Sequence, residues 1–183
     1  MKKLSILTVL FILLFIMACN NTSTKHENNA LTFAWAIQGQ IPDSSIGLAG
    51  PVTGISNDVL IVGGGSNFPN AAPWDGGAKK FYNEVYVFKQ EKDSLVPLKK
   101  KFSLPYKVAY SANCSIDAGI VIAGGQNIDG ALNNVSLLHW DENTRELQID
   151  TLPNLPFPLS SGALAARGNQ LYFAGGQNEN EVS

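Results

Sequence analysis

The sequence predicts an all-β fold made of repeated small sheets, and three observations lead to this prediction. Hydrophobic and β-branched runs bounded by Asn, Asp and Gly recur along the chain, which is typical of short strands joined by tight turns. No helix of convincing length is indicated after residue 30. An apolar run that ends in a glycine pair, a polar residue and asparagine occurs three times, at residues 59–67, 119–127 and 170–178.

The spacing of these copies predicts the architecture. Their last glycines, Gly65, Gly125 and Gly176, lie 60 and 51 residues apart, close to the roughly 50-residue period of kelch-type propeller blades. Each copy follows an inner strand and a polar turn, with the inner strands predicted at 51–56, 108–114 and 161–166. We therefore expect roughly two and a half blades of a kelch-type β-propeller that has about six blades when complete.

The remaining elements follow in order within each blade. Third strands are predicted at 83–88 and 133–140, and shorter fourth strands end at Leu-Pro pairs, 104–105 and 152–153. The expected segments are a lone outer strand in 31–46, a blade over 47–105, a second over 106–156 and an incomplete blade over 157–183. Because closed rings hide sheet edges, this count predicts a fragment or truncated product that is insoluble or protease-sensitive.

The N-terminal segment predicts export. Two lysines precede an apolar run that ends at Ala18, as in secretory signal peptides, and the run is shorter than the about 20 residues of a spanning helix. Cys19 follows directly, in a context that resembles the lipobox of bacterial lipoproteins. Residues 1–18 are thus predicted to be a lipoprotein signal peptide and 19–30 a polar tether, with Cys19 anchoring a periplasmic or outer-membrane-attached protein. An uncleaved hydrophobic anchor is the alternative.

Composition argues against several classes of function. The formal net charge is −2 and no basic stripe is present, so nucleic acid is not an expected partner. If Cys19 is lipidated, Cys114 has no partner for an internal disulfide and is expected to be a buried thiol. His26 and His139 lack ligand-spaced partners, so no metal site is predicted. The glycine run at 63–65 does not continue as a dinucleotide-binding loop.

The most specific motif lies in the loop after the first glycine pair. It reads NFP at 67–69, PWDGG at 73–77 and YNEVY at 82–86. With residues 54–58, this block resembles the kelch-propeller family of bacterial sialic acid mutarotases, also called N-acetylneuraminate epimerases. The resemblance covers roughly residues 47–177. It implies an isomerase that exchanges the anomers of free N-acetylneuraminate by acid/base opening and reclosing of the sugar ring, without metal or organic cofactor.

The order of the blades departs from that of better-known family members. In those proteins, sequence similar to residues 54–58 lies near the C-terminus, whereas here it lies near the N-terminus. The chain thus resembles a cyclically permuted branch of the family. The resemblance then implies that the acidic and arginine residues proposed for catalysis lie in a blade beyond Ser183. No catalytic residue is assigned to this chain, which alone is expected to be inactive.

Five residues are candidates for binding the substrate, free sialic acid or a related sugar. Asn67 and Trp74 lie in a long loop, where an amide can bond to hydroxyl groups and an indole can stack on a sugar face. Lys79 can pair with a carboxylate, and Lys107 and Tyr110 enter an inner strand that lines the predicted channel. The structural alternatives are that Trp74 caps the blade edge, Asn67 bonds its own turn and the lysines are solvated.

Two other functions stay open from the sequence. A lipid-anchored kelch module that only binds a glycan or a protein would share this fold, because fold alone does not set function. A non-functional truncated product is the second alternative.

Overall fold

The computed structural model describes residues 33–42 and 47–178. The predicted signal peptide, Cys19 and the polar tether lie outside the described residues, and those predictions stay untested. The chain divides into two units, Met1–Ala36 and Ile37–Ser183. Of the first unit only residues 33–36 are described, and they are exposed and without regular secondary structure. Everything below concerns the second unit.

The described residues are built from short antiparallel strands and contain no α-helix, which confirms the all-β prediction. In chain order the strands are β1 Val52–Ser56, β2 Val59–Gly63, β3 Ser66–Asn67, β4 Lys80–Phe81, β5 Glu84–Glu91, β6 Ser94–Pro97, β7 Phe102–Ser103, β8 Ala112–Ile116, β9 Gly119–Ala123, β10 Gln126–Asn127, β11 Gly130–Ala131, β12 Val135–Asp141, β13 Glu146–Leu152, β14 Ala163–Arg167 and β15 Gln170–Ala174. A single turn of 3-10 helix occupies Pro73–Asp75.

The strands form two blades and the beginning of a third. The first sheet has the order β1-β2-β5-β6, with β7 also paired to β5, and the second has the order β8-β9-β12-β13. Strands β14 and β15 repeat the first hairpin of each blade, and β1, β8 and β14 lie beside one another. Small ladders, β3–β4 and β10–β11, follow the second strand of each complete blade. This is the arrangement of a partial kelch-type propeller.

Three details differ from the sequence-based expectations. The second inner strand begins at Ala112 rather than at residue 108, because the carbonyl of Val108 accepts the N–H of Gly65 from the first blade at 2.7 Å. The fourth strand of the second blade is not shorter than its neighbour. Leu147 and Ile149 pack against the buried core, so β13 continues for seven residues, as many as β12.

The outer segment before the first blade is not a strand. Residues 33–42 have no strand assignment, although the N–H of Leu95 donates to the carbonyl of Gln38 at 2.8 Å. This bond places Gln38 beside β6. A lone outer strand at 31–46 is therefore not observed among the described residues.

The main core lies between the two complete blades. Its buried side chains come from both sheets and from the connection between them: Val52, Val59, Ile61, Val85, Val87, Leu104, Val108, Ile120, Ile122, Leu138 and Trp140. The largest buried cluster is therefore shared by the two blades. Burial of such side chains contributes about 1.5–3 kcal/mol each.

The glycine pairs bring neighbouring blades together. Gly64 and Gly124 have φ values of +63° and +62°, a conformation that favours glycine. A Cβ atom on Gly64 would lie 2.4 Å from the carbonyl oxygen of Val108, and one on Gly124 would lie 2.2 Å from that of Leu159. The absent side chains therefore let each blade contact the backbone that enters the next.

Candidate functional site

The candidate site begins at a backbone position that recurs in all three blades. Gly50, Tyr110 and Ser161 each lie two residues before an inner strand, and their φ values are 58°, 59° and 59°. The N–H of Tyr110 donates to the carbonyl of Gly50, and the N–H of Ser161 donates to that of Tyr110, both at 2.8 Å. The fold thus requires the left-handed conformation here, and the second blade places a tyrosine in it.

Tyr110 is held in place by its neighbours. Its ring covers Gly50, because a Cβ atom on that glycine would lie 2.5 Å from the Cδ1 atom of the tyrosine. Its hydroxyl oxygen accepts hydrogen bonds from Ser66 Oγ at 3.3 Å and from Lys79 Nζ at 3.2 Å. The bond from Ser66, then the bond and charge of Lys79, lower the pKa of Tyr110 against an opposing effect of desolvation.

Lys79 is surrounded by aromatic rings. Its ammonium nitrogen lies 4.9 Å from the ring centroid of Tyr110, 5.7 Å from that of Phe81 and 5.9 Å from that of Phe68. A cation is attracted to the negative face of an aromatic ring at such distances. Since these rings come from both blades, Lys79 is fixed across the boundary between them.

Asn67 lies beside this pair with its amide engaged. The hydroxyl of Tyr82 donates to Asn67 Oδ1 at 2.8 Å, and Asn67 Nδ2 donates to the carbonyl of Gly47 at 3.4 Å. Asn67 therefore joins two segments of the chain, whereas the structural alternative had it bonding its own turn. The oxygen and the nitrogen that would contact a sugar already have protein partners.

Two neighbouring cavities meet at Lys79. The first, which we call the tyrosine cavity, has a volume of about 380 Å³ and is lined by Gly47, Leu48, Ala49, Ser66, Asn67, Phe68, Lys79 and Tyr110. The second, the lysine cleft, has a volume of about 430 Å³ and is lined by Pro69, Asn70, Ala78, Lys79, Lys80, Phe81, Lys107, Asn127, Ile128 and Asp129. The lysine cleft thus carries three cations and one carboxylate, a balance that attracts anions.

The structure brings together four of the five predicted binding residues. Asn67, Lys79 and Tyr110 line the tyrosine cavity, and Lys107 joins Lys79 in the lysine cleft. Trp74 lies on the 3-10 helix, 84% exposed, and lines neither cavity. No side-chain capping bond holds that helix, and nothing in the geometry directs the indole toward the cluster.

Sequence reasoning missed several residues of the site. Ser66, Phe68 and Tyr82 enter it because β3 pairs with β4, with Ser66 opposite Phe81 and Asn67 opposite Lys80. Strands of two residues give no periodic signal in a sequence. The available signal was the aromatic content of the loop, which marks surfaces that hold cations or sugars.

Other reactive groups lie away from the two cavities. Cys114 is partly buried, and desolvation raises its pKa. His139 Nδ1 lies 3.7 Å from Asp150 Oδ2 on the exposed sheet of the second blade. Among the described residues, no three His, Cys, Asp or Glu side chains are grouped to hold a metal ion. The described part of the chain also contains no helix that is long and apolar enough to cross a membrane.

Comparison with curated proteins identifies relatives of one kind. N-acetylneuraminate epimerase of Brucella suis is 37% identical over 105 residues, which are 52% of this chain and 26% of that protein. The epimerase of Vibrio cholerae is 32% identical over 111 residues, 55% of this chain and 28% of that protein. Over the matched residues, this chain is related to the N-acetylneuraminate epimerases.

The epimerase of Haemophilus influenzae agrees, at 32% identity over 108 residues, 54% of this chain and 28% of the relative. The resemblance to this family is therefore confirmed over about half of the chain. The chain matches no protein-family model. It spans about a quarter of the length of the epimerases it matches. The cyclic permutation, the truncation and the location of the catalytic blade stay predictions.

Proposed function

We propose that this chain forms part of an exported sialic acid epimerase (mutarotase) and binds N-acetylneuraminate across the tyrosine cavity and the lysine cleft. Its relatives are N-acetylneuraminate epimerases, which supports the substrate class. The single observation that carries the proposal is the position of Lys79, whose side chain lines both cavities and touches the hydroxyl of Tyr110. A bound sugar acid would then have its carboxylate and its ring in different chemical surroundings.

The lysine cleft is the proposed position of the carboxylate. Lys80 and Lys107 are exposed there, and the ammonium of Lys80 lies 4.8 Å from the ring centroid of Tyr82. Cations on flexible stems suit a carboxylate as point charges. The sugar ring would then extend past Lys79 into the tyrosine cavity, where hydroxyl, amide and aromatic groups converge.

The proposed reaction opens and recloses the ring of the sugar, which needs proton transfer and no oxidant or reductant. The anomeric hydroxyl loses a proton, the bond between the anomeric carbon and the ring oxygen breaks, and the ring oxygen gains a proton. Closure on the other face of the carbonyl gives the other anomer. Positioned acid and base groups accelerate such steps by about 100- to 10,000-fold.

Binding by the full chain is the first test. Titration with N-acetylneuraminate, followed by saturation-transfer NMR, is expected to show binding that weakens with added salt, since exposed charges are screened. Lys107→Gln and Lys80→Gln are each expected to weaken binding about three-fold, because one exposed ion pair contributes about 1 kcal/mol or less. Lys99→Gln, an exposed lysine outside both cavities, is the matched control.

The methyl ester of the sugar lacks the negative charge of the carboxylate, so comparing it with the free acid isolates the contribution of the carboxylate to binding. Equal binding of the acid and its ester would contradict the lysine cleft as the carboxylate site. Exchange of the two anomers is followed on the same samples by two-dimensional exchange NMR. Binding of the sugar without faster exchange would favour the alternative of a module that only binds a glycan.

A further inference from the structure

We propose that Lys79 and Tyr110 form a proton-transfer pair that opens and closes the sugar ring, an inference that rests on the proposed function. The resemblance to the epimerases implies catalytic residues in another blade and a chain that is inactive alone, whereas this pair predicts that the chain itself accelerates the exchange of anomers. The inference comes from the geometry of two side chains from neighbouring blades, whose nitrogen and oxygen atoms lie 3.2 Å apart at the wall of the tyrosine cavity.

The hydroxyl of Tyr110 is arranged to lose and regain a proton. Its oxygen accepts hydrogen bonds from Ser66 and Lys79, and both bonds become stronger when the oxygen is charged. Ser66 is fully buried, so its hydroxyl is a fixed donor rather than a solvated one. Ser66 and Lys79 both donate to the phenol oxygen, so neither of them accepts the proton of the phenol. That proton can instead be exchanged with a sugar hydroxyl bound in the tyrosine cavity.

The backbone at Tyr110 is left-handed, as it is at the corresponding Gly50 and Ser161 of the other two blades, and only the second blade places an aromatic side chain in this position. The first blade fills the same left-handed position with Gly50, for which this conformation carries little strain. A side chain in this region costs about 1–2 kcal/mol. Such strain is concentrated at functional sites, where the surrounding structure keeps the residue in place. Here Gly50, Ser66 and Lys79 keep the phenol oriented.

Lys79 supplies the complementary acid. Three aromatic rings hold its ammonium group beside the phenol, at 4.9, 5.7 and 5.9 Å from their centroids. The lysine cleft, which Lys79 also lines, carries the charged groups Lys80, Lys107 and Asp129. Among the described residues, those that line the tyrosine cavity include no carboxylate. These positive charges favour the phenolate form of Tyr110.

The proton steps balance without any other reactant. The phenolate of Tyr110 removes the proton of the anomeric hydroxyl, and the oxygen's electron pair forms the carbonyl bond. The bond to the ring oxygen breaks, and that oxygen takes a proton from the ammonium of Lys79. The resulting phenol passes its proton to the resulting amine across their hydrogen bond, which restores the pair. The reverse steps on the opposite face of the carbonyl complete the exchange of anomers.

Anomer exchange by the full chain tests the pair. Tyr110→Phe keeps the ring over Gly50 and is expected to slow exchange about 100-fold, with its effect on sugar binding measured separately on the same samples. Lys79→Gln is the second variant, and Tyr172→Phe, which removes an exposed hydroxyl on β15, is the matched control. The exchange rate of the wild-type chain is expected to rise with pH as Tyr110 ionises, and the rise is expected to be absent in Tyr110→Phe.

Titration of tyrosine absorbance near 295 nm gives a readout that does not depend on activity. One phenol is expected to ionise at a lower pH in the wild-type chain than in Lys79→Gln. The absorbance change of this phenol is expected to be absent in Tyr110→Phe. If the wild-type chain accelerates exchange and Tyr110→Phe does so equally well, the proton-transfer pair is wrong and the proposed function stands. If the wild-type chain binds the sugar but does not accelerate the exchange of its anomers, the proton-transfer pair is also wrong, and the proposed binding site is retained. Absence of sugar binding would overturn the proposed function and the pair with it.

Discussion

Trp140 shows how one side chain joins two blades. It is fully buried, and its ring meets that of Phe102 from the first blade edge to face, with centroids 5.7 Å apart. Its backbone N–H donates to Ser56 Oγ at 3.0 Å, and its indole N–H donates to Glu142 Oε1 at 3.0 Å. The apolar body therefore fills the interface while every polar hydrogen of the residue has an acceptor.

Removal of this ring is expected to be costly. Trp140→Ala should lower the free energy of unfolding by about 3–5 kcal/mol, because it leaves a cavity between the blades and loses the ring contact. Denaturant unfolding followed by circular dichroism measures the change. Trp74→Ala is the matched control, since that indole is 84% exposed and exposed substitutions usually change stability by under about 0.5 kcal/mol. Equal losses in the two variants would contradict the assigned burial.

Asp141 leads to a prediction about the stability of the fold at low pH. A hydrogen bond from the Thr144 side chain, the N–H groups of Asn143 and Thr144 and the charge of His139 lower the pKa of Asp141, which caps the turn between β12 and β13. A carboxyl group with a lowered pKa stabilises the fold above its ordinary pKa of 3.8. This contribution is lost as the pH falls through the lowered value.

The wild-type chain should therefore lose its stability advantage over Asp141→Asn as the pH is lowered below about 4. The effect is expected to be small because the carboxyl group is exposed to solvent. Thermal unfolding of both proteins between neutral and acidic pH measures it. A difference in melting temperature that stays constant across this range would show that the turn does not depend on the charge.

At the scale of elements, the second strand of each blade ends where the next blade begins. Gly65 and Gly125 donate their N–H groups to the carbonyls of Val108 and Leu159 at 2.7 and 2.8 Å. The glycines that precede them, Gly64 and Gly124, leave no space for a side chain. Each glycine pair therefore provides both a close approach and a hydrogen bond between blades.

Gly124→Ala tests this contact separately from backbone strain. Gly168, in the turn between β14 and β15, has a φ of +55°, close to the +62° of Gly124, but an added Cβ atom there would meet nothing within 4 Å. Gly168→Ala is thus expected to cost about 1–2 kcal/mol for the left-handed conformation alone. Gly124→Ala should cost about 1–3 kcal/mol more, because its Cβ atom collides with the carbonyl of Leu159.

Calorimetric or denaturant unfolding of the two variants measures the difference. Similar losses would mean that the backbone near Leu159 moves aside easily and that the glycine pair serves only its own turn. A larger loss at Gly124 would show that the approach of the blades depends on the missing side chain.

Most strands could be predicted from the sequence, but their first and last residues could not. The strand that ends in each glycine pair and the third strands at 83–88 and 133–140 were predicted, because they combine apolar runs with clear turn residues. The start of β8 was predicted four residues early. Residues 108–111 include apolar and aromatic residues, so they resemble the start of a strand. In the structure, the carbonyl of Val108 instead accepts the N–H of Gly65 from the first blade.

At the scale of the whole molecule, similar strands have different surroundings. Strand β9 is buried throughout, since it pairs with β8 and β12 and packs against the first blade. Strand β15 follows the same sequence pattern, yet Leu171 and Tyr172 are 44% and 51% exposed. In the part of the chain that the structure describes, β15 pairs with β14 alone. Within residues 47–178, no strand pairs with its other edge.

Leu171→Lys is expected to reduce self-association of the chain. Exposed apolar edge strands pair with other chains, and a lysine on the edge opposes this. Light scattering at increasing protein concentration should show a later onset of association for this variant. Phe157→Lys, which adds the same charge at a loop position that is 51% exposed, is the matched control. Association that both variants delay equally would indicate a general effect of charge rather than strand pairing.

The sequence by itself determined the repeat, the all-β class and the family resemblance, because glycine pairs, turn residues and apolar runs act through local backbone geometry. It also singled out Asn67, Lys79, Lys107 and Tyr110. The tertiary structure alone decided that Lys79 and Tyr110 are in contact, that Trp74 lies apart from them, and that β9 is buried whereas β15 is exposed. Those outcomes depend on how one blade packs against the next, and contacts between residues distant in the chain leave no local signal.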